Sequence, residues 1–290
     1  IDIGGPTLLR AAAKNFAHKT VVTDADDYDR VVEAIDDGEL DRQLRRQLAL
    51  KAFRHTARYD ATIAHYFEAE VEPDGHAQLP ESWSIGLSRT TSLRYGENPH
   101  QRGALYHESA QRPFGGFEKL HGKDLSYNNL VDLDAAVQLT LEFDQPAVSI
   151  IKHTNPAGCA VGDSVDDAYE RALACDPMSA FGGIVVANRT VGADLGEQMS
   201  EKFFEVIVAP DYEEGALEAL TERKSVRILR MPNAVADVPR MIRATVLGFV
   251  TQTSDPPVDF DRDDLEIPTD REPTPAEWRG LEFNWQVCKH

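Results

Sequence analysis

Between residues 129 and 210 the chain alternates short apolar runs with amphipathic stretches. "PAVSII" (146–151), "GGIVVAN" (182–188) and "EVIVAP" (205–210) are rich in Val, Ile and Ala, and at most one polar residue interrupts each apolar core. Runs this short and this apolar read as strands buried on both faces. "NLVDLDAAVQLTLEF" (129–143), "SVDDAYERALAC" (164–175) and "GADLGEQMSEKF" (192–203) read as the helices between them. That rhythm predicts an α/β sheet with helices packed on its faces.

The N-terminal part has a different texture. "IDIGG" reads as a turn, "PTLLRAAAKNFA" as a helix with Pro6 near its start, and Val21-Val22 as the beginning of a short buried strand. From Asp41 to about Glu70 apolar residues recur at helical spacing, which predicts one long helix. It ends in "VEPDGHAQLPES" (71–82), a polar stretch with two prolines and a glycine that marks a domain boundary. An acidic, proline-rich stretch at 253–277 reads as a long surface loop, and "AEWRGLEFNWQVCKH" as a last helix.

Composition narrows the function. A formal charge of −19 excludes non-specific nucleic-acid binding, which needs a basic face. The acidic clusters at 24–37, 163–170 and 255–272 fit either a solvated surface or adaptation to high salt. Three cysteines (Cys159, Cys175 and Cys288) form no C-x-x-C pair, a usage that suits a reducing, cytoplasmic compartment. No apolar run is long enough to span a membrane, and no basic-then-apolar leader is present. The chain opens at Ile1 inside what reads as a folded unit, so an internal fragment of a longer protein is expected.

Four clusters invite chemistry, each with a plain alternative. Lys152-His153 ends an apolar strand, and open α/β sheets gather ligands at strand carboxyl ends. A His exchanges protons near neutral pH, and an adjacent Lys can hold developing negative charge. Neighbours on a strand point opposite ways, so both can face one ligand only if the backbone bends, with Asn155-Pro156 as the candidate bend. The alternative is a surface Lys beside a half-buried His. "LRYGENPHQRGALY" (93–106) offers the Arg94 fork and the Tyr95 ring on a shaped loop, or an ordinary charged turn. Gly182-Gly183 before a strand permits close approach to a ligand, or only turn geometry. "IDIGGPTLLRAAAK" places glycines before a helix N-terminus, but lacks the endings of a P-loop or a dinucleotide fold. No H-E-x-x-H occurs, and neither the H-x-E nor the P-C-x-x-C of a zinc deaminase is present, so no metal is expected.

"IDIGGPTLLRAAAKN", "RRQLALKAFRHTARYD", "LRYGENPHQ", "KHTNPAG", "DPMSAFGGIV" and "EVIVAP" stand in the order and spacing of one family. From Ile1 to His290 the chain resembles the bifunctional family that joins AICAR transformylase to IMP cyclohydrolase. The resemblance implies the end of a methylglyoxal-synthase-like cyclohydrolase domain at 1–70, a linker at 71–86, and at 87–290 the first, cytidine-deaminase-like α/β lobe of the transformylase. The second lobe and the start of the cyclohydrolase would be missing, leaving both sites incomplete. It further implies a cytoplasmic homodimer that moves a formyl group from 10-formyltetrahydrofolate, its co-substrate, to AICAR, then closes formyl-AICAR to IMP.

By the same resemblance, His153 would remove a proton from the attacking amine and Lys152 would stabilise the oxyanion and assist departure of the folate nitrogen. Arg94 and Tyr95 would contact the nucleotide, and Asn129, Gly182 and Glu205 would line the site, Glu205 standing where the family has Asp. Asp2, Gly4, Gly5 and Lys14 would belong to the cyclohydrolase. Two other readings compete: an inert piece that still binds ligand or partner, and a zinc deaminase of related fold, which the missing ligands disfavour.

Overall fold

A computed structural model of the chain describes residues 1–71, 79, 81–108, 116–234, 240–255, 262 and 265–290. Most of the stretch at 71–82 expected to be a boundary, and part of the acidic loop at 253–277, lie outside the described residues. Two compact units emerge: Ile1–Leu87 with Ile242–Thr253, and Ser88–Met241 with Ser254–His290.

The first unit opens with three helices, α1 (Gly4–Lys14), α2 (Tyr28–Asp36) and α3 (Arg42–Val71). The predicted long helix begins one residue after Asp41, whose carboxylate accepts the Leu44 amide at 2.7 Å and so satisfies one orphan donor of the first turn. Small residues let α1 and α3 approach, with Ala13, Ala49 and Ala52 sharing a buried cluster with Val21. The strand expected at Val21-Val22 is not there: residues 19–24 carry no ladder. Val21 is buried all the same, because helices cover it rather than a neighbouring strand. A β-branched pair signals burial, and burial alone supplies no pairing partner. Gly4 and Gly5 form the first turn of α1 instead of a loop before it.

The remaining elements are β1 (Leu87–Ser92), β2 (Ala104–Glu108), β3 (Glu118–His121), α4 (Tyr127–Thr140), β4 (Ala147–Lys152), β5 (Asn155–Val161), α5 (Val165–Cys175), β6 (Ile184–Ala187), α6 (Ala193–Glu201), β7 (Val206–Ala209), α7 (Glu214–Thr221), β8 (Arg227–Arg230), β9 (Arg240–Thr245), β10 (Gly248–Thr253) and α8 (Pro275–Cys288). β1 with β2, and β9 with β10, form two-stranded sheets. The central sheet has six strands in the order β3-β8-β7-β6-β4-β5. β6, β7 and β8 are parallel, while β4, β5 and β3 run antiparallel to their neighbours.

The apolar runs have the two-sided burial expected of them. Val185, Ala187, Ile207 and Ala209 pack with residues of α5, α6 and α7, such as Tyr169, Leu195 and Ala216. Their chain neighbours Ile184, Val186, Val206 and Val208 pack on the other face with Leu133, Ala136 and Val137 of α4 and with Phe283 and Val287 of α8. The period of two sends successive side chains to opposite layers, so a strand covered on both faces must be apolar at every position. The exception, Ser149 in β4, donates to the Ala136 carbonyl at 3.1 Å and meets the Thr140 hydroxyl, so no hydroxyl there is left unpaired.

A buried ion cluster ties the residues just after α4 to those just after α8. Glu142 accepts from Lys289 Nζ at 2.5 Å and from His290 Nε2 at 2.9 Å, with its side chain 5% exposed. Burial alone would raise its carboxyl, but the hydrogen bonds and charges of Lys289 and His290 outweigh it and hold the group below its ordinary value. A carboxyl depressed in this way stabilises the fold above its unfolded value of about 4.3 and loses that contribution as pH falls through the folded value. Glu142→Gln should therefore be less stable at pH 7 and lose less further stability on acidification. Urea midpoints measured from pH 7 down to pH 3 test this, and parallel curves for the two proteins would refute it.

Candidate active site

β4 and β5 are joined by only two residues, His153 and Thr154, with Lys152 paired to Asn155. Both loop residues are left-handed, with φ of 56° at His153 and 63° at Thr154, and no other described non-glycine residue has positive φ. Two-residue hairpin loops use this conformation because it matches the twist of the strands, and Asn-Gly fills it most readily. His and Thr cost about 1 kcal/mol or more each in that region.

Four hydrogen bonds hold the turn in place. The Asp132 carboxylate accepts the His153 amide at Oδ2 (3.2 Å) and the Thr154 amide at Oδ1 (2.8 Å). The His153 carbonyl accepts from Thr154 Oγ1 at 2.6 Å and from Asn155 Nδ2 at 2.8 Å. The bend expected at Asn155-Pro156 thus lies two residues earlier, at His153-Thr154. Those two residues begin β5, and the register shift in this ladder falls between Ile150 and Ile151.

The early bend settles how neighbouring side chains can share a site. Strand alternation would send Lys152 and His153 apart, but the left-handed φ at His153 breaks it. Both line one open cleft of about 460 Å³, together with Asn155, Pro156, Asp176 and Ser179. Lys152 Nζ donates to the Phe181 carbonyl at 2.9 Å, which leaves ammonium protons for an incoming acceptor. The Asp176 carboxyl is held below its ordinary value by the Ser179 hydroxyl and amide, then by the Met178 amide, with the Lys152 charge adding to them.

Gly182 stands at φ 76° and donates its amide to the Phe203 carbonyl at 2.7 Å. A Cβ on Gly183 would lie 2.9 Å from the Ile151 carbonyl oxygen. The glycines therefore let the 176–183 loop close against the end of β4.

A second group gathers at the start of α4. Asn129 is buried and shares a reciprocal cap with Ser126: its amide donates to Ser126 Oγ at 3.2 Å, and its Oδ1 accepts the Ser126 amide at 3.1 Å. Asn129 Nδ2 donates to Glu205 Oε2 at 2.8 Å, an oxygen that also meets the guanidinium of Arg227 at 3.4 Å. Arg227 is itself buried, with Nε and one terminal nitrogen directed to the Asp124 carbonyl at 3.3 Å. Only one N–H of the Asn129 side chain is left for a ligand. The Arg94 amide donates to Leu125 and the Tyr95 carbonyl accepts from Tyr127, which lays the 93–96 loop along the start of α4. The Arg94 guanidinium lies 5.6 Å from the Tyr95 ring centroid, within reach of a cation–π contact.

α4 joins the two groups, because Asn129 and Asp132 are three residues apart and share a face. Lys152, His153, Asn129, Glu205 and Gly182 thus collect at one edge of the central sheet. That edge holds the carboxyl end of β4 but the amino ends of the parallel strands β6, β7 and β8, since β4 runs against β6. The carboxyl-end rule holds for the antiparallel strands β4 and β3 and not for the parallel ones.

Asp2, Gly4, Gly5 and Lys14 lie in the other unit. Asp2 Oδ1 accepts the Gly5 amide at 3.3 Å, and a Cβ on Gly5 would lie 2.4 Å from the second carboxylate oxygen. Lys14 ends the same helix, about 15 Å along its axis from Gly4. The structure groups the first three and leaves Lys14 apart.

Three residues at the sheet edge escape sequence reading. Asp132 carries a signal, its i+3 spacing from Asn129. Asp176 and Arg227 carry none, since an Asp before a Pro and an Arg opening a strand are common. Cys159, on β5, is excluded as a nucleophile, because burial first and then the neighbouring Cys175 push its thiol up to about 12. Among the described residues no group of three or more His, Cys, Asp or Glu could hold a metal ion, and no helix is long and apolar enough to cross a membrane.

Comparison with known proteins adds a second line. The family model described as "AICARFT/IMPCHase bienzyme" matches residues 12–290. A "Bifunctional purine biosynthesis protein PurH" of Oceanobacillus iheyensis is 45% identical over all of this chain and 56% of its own length. Proteins of the same name from Halalkalibacterium halodurans and Anoxybacillus flavithermus are 43% and 42% identical, again over all of this chain and 57% of theirs. The chain spans a little over half the length of these relatives.

Proposed function

The chain belongs to the AICARFT/IMPCHase bienzyme family, and from that premise we propose that it carries the formyl-transfer centre and part of the cyclohydrolase of a bifunctional purine-biosynthesis enzyme. The full-length protein would transfer the formyl group of 10-formyltetrahydrofolate to AICAR and cyclise formyl-AICAR to IMP. On this reading residues 1–70 end a methylglyoxal-synthase-like cyclohydrolase domain, 71–86 link, and 87–290 form the first cytidine-deaminase-like lobe of the transformylase. A cytoplasmic homodimer completes the proposal.

The observation that carries it is the left-handed turn that brings Lys152 and His153 to one cleft. The 5-amino group of AICAR is a poor nucleophile, its lone pair drawn into the imidazole and carboxamide. As nitrogen attacks the formyl carbon, His153 takes the amine proton and Lys152 donates to the formyl oxygen, where negative charge develops. Collapse of the tetrahedral intermediate breaks the bond to N10 of the folate, which leaves protonated by the proton that His153 took, with Lys152 assisting its departure. Asn129, fixed by Glu205, offers its remaining N–H beside this centre, and Arg94 and Tyr95 hold the nucleotide.

The cyclohydrolase half would use Asp2, Gly4, Gly5 and Lys14 to hold formyl-AICAR while it closes with loss of water. An intramolecular condensation of this kind gains most of its rate from proximity.

Lys152→Ala in the full-length protein tests the transfer half. Loss of an oxyanion donor should lower kcat for formyl transfer about 100-fold, with little change in KM for AICAR. Cyclisation of supplied formyl-AICAR should be unaffected and serves as the internal control. Unchanged kcat for formyl transfer would remove Lys152 from the mechanism.

A further inference from the structure

The His153–Thr154 turn poses a problem that the transfer chemistry does not answer. Neither residue favours the conformation it adopts, and both belong to the exposed tip of a hairpin. A strained backbone persists only where its surroundings over-determine it. Of the four hydrogen bonds that do so, two are local to the turn and come from Thr154 and Asn155. The other two reach it from elsewhere, and both end on Asp132.

We infer that Asp132 is a positioning residue: by accepting both amide protons of the turn, it holds His153 in the left-handed conformation that places the imidazole in the Lys152 cleft. The inference rests on the reading of His153 as the base. A carboxylate suits this task because its two oxygens take one amide each, Oδ2 from His153 and Oδ1 from Thr154. A carboxamide has one oxygen and can satisfy one of them. Hydrogen bonds donated to an ionised acceptor are also about twice as strong as neutral ones.

Its place in the fold adds to the argument. Asp132 stands on α4 three residues from Asn129, whose side chain is locked by Ser126 and Glu205. One helix face therefore fixes the turn that carries the base and the amide beside the nucleotide loop at once. Without Asp132, the turn can relax toward negative φ, and alternation would carry the imidazole away from Lys152.

The test uses the full-length protein with Asp132→Ala, Asp132→Asn and Asp132→Ala combined with Thr154→Gly, beside His153→Ala. Misplacing a catalytic group by about 1 Å costs on the order of 100-fold, so Asp132→Ala should lower kcat for formyl transfer by about that factor. KM for AICAR should stay within a few-fold, and Asp132→Asn should fall between Asp132→Ala and wild type. Amide hydrogen exchange in the segment 149–157 should quicken in Asp132→Ala while the melting temperature stays near wild type. Thr154→Gly should restore part of the lost kcat, because glycine holds a left-handed φ unaided.

Wild-type kcat in Asp132→Ala, with His153→Ala inactive, would overturn the positioning role and leave the base assignment standing. Loss of kcat with unchanged exchange at the turn, and no recovery from Thr154→Gly, would overturn it as well. Normal turnover by His153→Ala would instead remove the base assignment, and this inference with it.

Discussion

Replacing His153, the proposed base, by Ala in the full-length protein is expected to lower kcat for formyl transfer by about 1,000-fold, within the 10²–10⁴ range that general bases contribute. The loss should fall on kcat rather than on KM for AICAR, because in the proposed mechanism the imidazole acts on a proton that moves only as the C–N bond forms. Lys152 remains in the variant with its bond to the Phe181 carbonyl, so the oxyanion stabilisation proposed for it should survive and activity should not vanish. The pH profile discriminates further, since the limb that reports the base should disappear from kcat/KM along with the imidazole. Near-normal turnover in a single-turnover assay would assign proton removal elsewhere.

The second large effect is on folding. Gly158 lies in β5 opposite Ile150, and a Cβ built there would sit 1.9 Å from the carbonyl oxygen of Ala172 and 2.9 Å from its carbon. Both atoms are backbone of α5, so no side-chain rotation relieves the clash, and strand and helix must separate. The same helix buries Ala168, Tyr169 and Ala172 against the sheet, so separation opens the larger core cluster. Gly158→Ala should cost more than about 3 kcal/mol, at or beyond the upper end for overpacking, because backbone must move. Gly280 is the control: it is helical, with open space where a Cβ would stand. Gly280→Ala should stabilise by about 0.5–1 kcal/mol. Urea unfolding of the two variants beside wild type measures both, and a Gly158→Ala midpoint close to wild type would refute the packing argument.

What the sequence discloses about this fold is what depends on local periodicity. β4, β6 and β7 appear as apolar runs because both of their faces are covered, and α3 and α4 to α6 appear because their burial repeats at helical spacing. β3 gives no such sign. Its four residues include Glu118 and Lys119, and it becomes a strand because β8 offers an edge to pair with. "NPAGCAV" has no long apolar run yet forms β5, since small residues are what the packing of α5 against it requires.

The candidate site divides the same way. Lys152 and His153 are visible as polar residues ending an apolar run, and Asn129 and Glu205 through family resemblance. Arg227 and Asp132 act through contacts across 22 and 21 residues of chain, which no local pattern encodes. Local chemistry points to a turn at Asn155-Pro156, two residues late, whereas the hairpin bends at two residues with little turn chemistry of their own.

That hairpin has a consequence for how such a protein can change. Any selection for a sturdier fold would favour Asn-Gly at 153–154, the pair best suited to the loop. The same exchange would erase the group proposed to take the proton. Stability and chemistry pull against each other at this one dipeptide, and the turn depends on a carboxylate from another element, Asp132 on α4. Lineages under thermal pressure therefore have their room to adapt outside the turn and the residues that hold it, while the tip stays as it is.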